Sequence, residues 1–325
     1  MDSFNLVKIE NNKESSFTQN IKGNISIKFF KILFIFLFIS NIYIIFIIFH
    51  SKTDLNKTIS KFSNIFINNS NQIVNKKFLN NKNKIIYDEI FDLSIKQQND
   101  FCQNPNKYLN KQYEELIRLT KFSFRGLSYQ MYVYSKYDDR MSGWIIKRGD
   151  YEPIQMSYIV DALKFYRKTK NIVNNKDIFI LDIGGNIGQY TSFLGRHGYS
   201  ILTFEASPRN YYILNKNYCL NNKNSNIILI NKGISDQEKI CNYFTHIESI
   251  GNGILLCDEK KENITIKDYH FTKTFEVSLT KLSNFIPFLS SKNLALIKID
   301  IEGAEGKVIE EGIELINIIF IYLLK

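Results

Sequence analysis

DIFILDIGGNIG, residues 177–188, decides how this 325-residue chain is to be read. Ile178 to Ile183 is an apolar run broken only by Asp182, the pattern of a strand buried on both faces of a parallel sheet. Gly184, Gly185 and Gly188 supply a turn, and Gln189-Tyr190-Thr191-Ser192-Phe193-Leu194 reads as the start of a helix. A strand, a glycine turn and a helix N-terminus in that order form a ligand cradle. Glycine lets backbone approach a ligand closely, and the free N–H groups of the first helical turn favour an anion. Moving outward, Ser200-Ile201-Leu202-Thr203-Phe204 predicts the next strand, and it ends in Glu205, 17 residues past Gly188. A βαβ unit places a carboxylate near there to accept two ribose hydroxyls. The dinucleotide fingerprint G-x-G-x-x-G fails, because Asn186 and Gln189 occupy its second and third glycine positions. Asp182, two residues before the first glycine, and the looser turn suit a nucleoside cofactor with no phosphate.

Three ordered blocks carry a resemblance. DIGGNIG at 182–188, TFEASP at 203–208 and IKIDIEGAE at 297–305 closely resemble the FkbM-type S-adenosylmethionine-dependent methyltransferases. The similarity runs from about Tyr132 to Leu324, and Asp138 to Leu163, with Ser142, Gly149 and Glu152, is similar to the family's lead-in. The resemblance implies a Rossmann-like class I methyltransferase domain over 126–325, an α/β fold with a mostly parallel sheet flanked by helices. It implies that Asp182, Gly184, Gly185, Asn186 and Gly188 hold the methionine and ribose portions of S-adenosyl-L-methionine. Glu205 matches the ribose-hydroxyl acceptor, Ser207 follows along the adenosine edge, and Gly233, past a third strand at 226–231, lies where the family lines the adenine. Asp300 matches the mouth of strand four, facing the sulfonium and the acceptor. Ala206 stands where the family usually has Pro.

Methyl transfer asks an enzyme chiefly to align donor and acceptor, and a hydroxyl acceptor must also lose a proton to a nearby carboxylate or His. Asp300 and Glu302 are the candidates for that role. The competing readings of Asp300, Glu302 and Glu305 are a shared divalent cation or ordinary pairing of acids with a helix N-terminus. His246 and His270 fall between strands three and four, and neither is assigned as the base. Trp144 and the stretch Tyr129 to Tyr137 are expected to pack, since aromatic area is usually core.

The N-terminal part differs in kind. After a tail over 1–28, FFKILFIFLFISNIYIIFIIF at 29–49 is apolar save for Lys31, Ser40 and Asn41, which predicts a transmembrane helix. Lys residues lie on both sides of it and set no orientation. Residues 50–125 read as an Asn- and Lys-rich stem, with one helix around 84–98 and another around 113–120. The four glycosylation sequons, at Asn24, Asn56, Asn68 and Asn263, are as many as the Asn, Ser and Thr content gives by chance. Cys102, Cys219, Cys241 and Cys257 all follow the apolar run, as suits a lumenal domain with a disulfide, although buried free thiols are the commoner explanation. A net charge of +10 is dispersed, with no basic block interleaved with aromatics, so no nucleic-acid partner is expected.

The expectation is a single-pass, membrane-anchored S-adenosylmethionine-dependent methyltransferase. Its domain would sit in the lumen of the ER or Golgi and O-methylate a glycan or other small hydroxyl acceptor. The alternatives are an inactive anchored binding module that keeps the cradle, and an NAD-dependent oxidoreductase. Ile318 to Lys325 reads as strand five, whereas the family continues with a helix and two further strands. A wholly apolar strand at the sheet edge is an aggregation hazard, so a truncated or mis-ended version of a longer protein is expected.

Overall fold

The computed structural model describes residues 7–9, 32–39, 42–49, 81–135, 140–221, 225–246, 249–266, 268–301, 305–312, 315 and 321–324. Its strands are β1 (Val7–Ile9), β2 (Ile32–Ile39), β3 (Ile42–Phe49), β4 (Ile117–Phe124), β5 (Leu127–Tyr134), β6 (Phe179–Ile183), β7 (Ser200–Phe204) and β8 (Ile227–Ile230). They continue as β9 (Gly233–Ser235), β10 (Ile240–His246), β11 (Gly253–Leu256), β12 (Asn263–Ile266), β13 (Tyr269–Lys281), β14 (Leu294–Ile299) and β15 (Ile321–Leu324). The main sheet has the order β1-β2-β3-β15-β14-β6-β7-β8, and β15, β14, β6, β7 and β8 run parallel. From β6 the chain steps through β7 to β8 on one side, then returns to β14 and β15 on the other. Strand order therefore reverses between β6 and β14, and a doubly wound sheet binds its ligand outside the carboxyl ends of the strands at that point. This is a Rossmann-like α/β fold.

Period-two alternation explains the unbroken apolar strands. Ile180, Ile201 and Leu296 join one core cluster, while Leu181, Leu202 and Ile297 join another, so each strand feeds both faces of the sheet. The helices Pro153–Thr169 and Pro208–Asn221 contribute buried side chains to the first cluster, as does the β4–β5 hairpin. A second sheet, ordered β11-β10-β13-β12 with β9 alongside β13, is inserted between β8 and β14.

Several expectations need correction. The helix expected over 29–49 is replaced, where residues are described, by antiparallel strands β2 and β3, and β3 pairs in parallel with β15. A run dominated by Ile and Phe has high strand propensity, and an apolar run alone does not distinguish a buried strand from a helix. Among the described residues no helix is long and apolar enough to cross a membrane. The same pairing gives β15 a neighbour on the side where an open edge was expected.

The helix expected at 113–120 is only a turn, Lys111–Glu114, whose N-cap Asn110 accepts from Tyr113 N–H at 3.1 Å. β4 begins at Ile117, and the domain start expected at 126 falls in the turn of the β4–β5 hairpin. The folded unit takes in still earlier residues. The helix Asn81–Gln103 buries Phe91, Ser94 and Gln98 on one face, and Gln98 bonds both Ile227 C=O and Leu229 N–H of β8, at 3.0 and 3.1 Å.

The four cysteines are not free thiols: Cys102 pairs with Cys219 and Cys241 with Cys257. The first bond spans 117 residues and the second 16. Non-reducing peptide mapping is expected to recover these two pairs. Replacing Cys102 by Ser is expected to lower stability in a urea melt by up to about 5 kcal/mol, against about 3 kcal/mol for Cys257→Ser, because the longer loop restrains the unfolded chain more.

Candidate functional site

β6 delivers the chain to a bend that only particular backbone allows. Gly184 has φ +82°, and a Cβ there would stand 2.0 Å from the Asp300 carbonyl oxygen, so the exit of β14 presses directly on the exit of β6. Gly184 and Gly185 N–H both donate to Phe204 C=O at 2.9 Å, tying the bend to the end of β7. Asn186 is left-handed at φ +49°, a conformation Asn tolerates. Its N–H donates to Glu205 Oε2 at 2.7 Å, and its side-chain oxygen accepts from Ile187 N–H at 2.8 Å. Gly188, at φ +86°, then opens the helix Gln189–Arg196.

Glu205 is 6% exposed, and its second oxygen accepts from Ser207 N–H at 2.9 Å. Burial pushes its carboxyl up to about 7, against the opposing pull of the Ser207 and Asn186 N–H groups and the Lys298 charge. A carboxylate has roughly four acceptor positions, and the Ser207 and Asn186 N–H groups together with the Asn210 side chain engage up to three of them. Ser207 is buried, and its hydroxyl accepts from Asn210 N–H at 3.3 Å at the start of helix 208–221. Gly233 opens β9 on the far side of that acid. There a Cβ would meet Leu279 at 2.5 Å and Ala206 at 3.3 Å, so close packing is what this structure shows for it. The bend, Glu205 and Ser207 thus form one hydrogen-bonded unit, with Asp300 against its rim.

Asp182 has a different place from the one expected. It is 1% exposed; Lys298 Nζ lies 3.0 Å from one oxygen, and Thr191 donates to the other at 2.8 Å. Lys298 also donates to Gly184 C=O at 2.9 Å, so the pair braces the bend from beneath. Lys298 went unremarked within IKIDIEGAE, although a Lys in a buried strand, in register with an Asp, is a readable signal. Tyr190 was missed too. It is buried, donates to Glu152 at 2.9 Å, and its hydroxyl is held far above the ordinary tyrosine range by burial and by the charges of Glu152, Asp300 and Asp182. Glu152 is left-handed at φ +55° just before the helix Pro153–Thr169. Backbone strain of this kind gathers at functional sites.

Asp300 is half-buried, and its N–H donates to Ile183 C=O at 3.0 Å. Glu302, the other expected proton acceptor, lies outside the described residues. Glu305 begins the helix Glu305–Glu311 and accepts from Ile301 N–H at 3.3 Å, as an acid at a helix start does. Among the described residues no group of three His, Cys, Asp or Glu is placed to hold a metal ion. Tyr129 and Tyr134 are buried as expected, whereas Trp144 is 40% exposed beneath the Arg148 guanidinium.

Lys298→Met strands a buried carboxylate and is expected to cost about 3–5 kcal/mol in chemical denaturation. Adding Asp182→Asn is expected to restore most of that loss; an unchanged double variant would show that the charge pair is not what holds the bend.

Comparison with known proteins converges on the same segment. Residues 182–324 match the family described as Methyltransferase FkbM domain, and the three quoted sequence blocks all fall within that range. Methyltransferase 1 of Beauveria bassiana (strain ARSEF 2860) is 28% identical over 144 residues, covering 41% of this chain and 57% of that protein. Methyltransferase sdnD of Sordaria araneosa is 28% identical over 155 residues, covering 41% of this chain and 59% of that protein. The chain thus spans less than three fifths of the length of these curated relatives. The match to the methyltransferase FkbM domain thus takes in the bend, Glu205, Ser207 and Asp300.

Proposed function

We propose that this protein transfers a methyl group from S-adenosylmethionine to a hydroxyl acceptor, a glycan or a related small molecule. The observation that carries the reading is the buried Glu205 carboxylate set against the backbone of the 184–188 bend, where strand order reverses. An acid at the end of the second strand of a βαβ unit is where a ribose hydroxyl is accepted. Asn186 has a side chain where a pyrophosphate cradle needs a glycine, and that side chain reaches Gly251 C=O at 3.4 Å. The pocket is thereby suited to a nucleoside without phosphates.

The cofactor, when bound, supplies an electrophilic methyl group on a positively charged sulfur. The chain's own part is to seat the adenosine with Glu205 and Ser207, to hold the bend rigid through Lys298 and Asp182, and to present Asp300 at the rim. We assign Asp300 as the group that takes the proton of the acceptor hydroxyl. Two disulfides support folding in an oxidising compartment such as the ER or Golgi lumen. Membrane attachment rests on the apolar length of 29–49 and on no helix of the described residues. Flotation of the full chain with liposomes tests it, and recovery of the protein in the bottom fraction would remove it.

Calorimetry on the full chain is expected to show binding of S-adenosylhomocysteine and none of NADH; the reverse result would overturn the reading. Turnover of labelled donor with a panel of glycans then separates an enzyme from a binding module, and Asp300→Asn is expected to lower kcat at least about a hundredfold. The acidity of Glu205 gives a pH signature. In the folded protein it is pushed up to about 7, above the ordinary glutamate value of 4.5, so the folded protein binds the extra proton between those values. Stability without ligand is therefore expected to fall as pH rises from about 4.5 to 7, by on the order of 3 kcal/mol, and donor affinity to rise over the same range as the carboxylate ionises. Glu205→Gln is expected to flatten both curves.

A further inference from the structure

The stretch Ser249–Asn252, between β10 and β11, belongs to the second sheet yet is fastened to the cofactor side of the first. Gly251 C=O accepts from Asn210 Nδ2 at 3.0 Å and from Asn186 Nδ2 at 3.4 Å. Asn186 belongs to the bend and Asn210 to the helix that follows Glu205, so one carbonyl ties the two elements that flank that acid. The neighbouring Ile250 C=O accepts from Arg209 Nη2 at 2.7 Å, and the same nitrogen reaches Thr245 Oγ1 of β10 at 3.3 Å.

Arg209 is unusual in itself. It is 9% exposed, makes no ion pair with a carboxylate among the described residues, and leaves Nε buried without a hydrogen-bond partner. Its guanidinium lies 5.9 Å from the Tyr134 ring centroid and 5.6 Å from that of Phe275. A buried cation supported by ring faces, a threonine hydroxyl and one short bond to a carbonyl, with no carboxylate partner among the described residues, is costly to keep. At the base of the same hairpin, Cys241–Cys257 joins β10 to β11.

We propose that Ser249–Asn252 is the roof of the adenosine pocket and that Arg209 is the positioning residue that holds it down, through Ile250 C=O, while Asn210 and Asn186 seat Gly251. The proposal rests on the reading of Glu205 as the ribose carboxylate. Arg209 does not touch the donor; it fixes the peptide that closes over it. Loosening this roof speeds donor escape without altering the alignment at Asp300, so the effect falls on donor KM and spares kcat.

The test uses the full chain with Arg209→Met, which keeps the apolar stem between the two rings, and Arg209→Lys, which keeps a donor able to reach the carbonyl. Two measurements are made: hydrogen exchange of the 249–252 amides without ligand, and calorimetric affinity for S-adenosylhomocysteine. Arg209→Met is expected to speed exchange at Gly251 and Asn252, weaken binding about tenfold and raise donor KM by a similar factor, with kcat within about twofold of wild type. Arg209→Lys is expected to recover part of both effects, and it carries the test alone if the Met variant fails to fold. Wild-type exchange in a folded variant would overturn the holding role of Arg209. Faster exchange with unchanged affinity would overturn the roof. If the wild-type chain itself fails to bind S-adenosylhomocysteine, the donor reading falls and takes the roof with it, while the exchange measurement still decides whether Arg209 holds the segment.

Discussion

The ion pair between Lys298 and Asp182 is the constraint on which the rest of this site depends. It joins the two strands between which the sheet changes direction, in register and almost without solvent. Two charges taken out of water give little net stability, but they fix where each strand ends relative to the other. A second bond of Lys298, to Gly184 C=O, extends that alignment into the bend, and Thr191 links it to the following helix. With the bend fixed, its N–H groups meet Phe204 C=O and Glu205 without adjustment. One polar cluster thus sets strand register, bend geometry and the orientation of the Glu205 carboxylate.

The parallel strands and the bend were legible in the sequence because each carries a local signal. Ile178 to Ile183 has no polar face, three glycines follow it within five residues, and the next strand ends in an acid. β7 falls at 200–204 as read, and β8 within a residue of its expected ends. What escaped was whatever depends on partners distant in sequence. Asp182 carries no local sign of its pairing with Lys298, 116 residues away. The cysteines resembled isolated thiols because nothing near any one of them announces its mate.

The earlier segments were obscured by composition. Helix 81–103 meets the sheet with Phe91, Ser94 and Gln98, two of the three polar, so its buried face cannot be seen as an apolar period. Gln98 substitutes hydrogen bonds to the β8 backbone for apolar contact. In β4 the alternation is present, with Phe122 and Phe124 inward, but Lys and Arg around it gave the look of a solvated stem. The run at 29–49 failed in the opposite sense, since uniform apolarity carries no period by which to tell a helix from a strand.

The long-range disulfide has a consequence for biosynthesis. A chain made from its N-terminus exposes Cys102 as a lone thiol, with no native mate until more than a hundred further residues have been translated. Cys241 and Cys257, by contrast, arrive almost together on adjacent strands of one hairpin. Incorrect cross-linking is therefore concentrated on Cys102, and premature capture by either hairpin cysteine would keep helix 81–103 from docking on β8. The yield of native protein on oxidative refolding should depend on a thiol isomerase more than its modest cysteine content suggests.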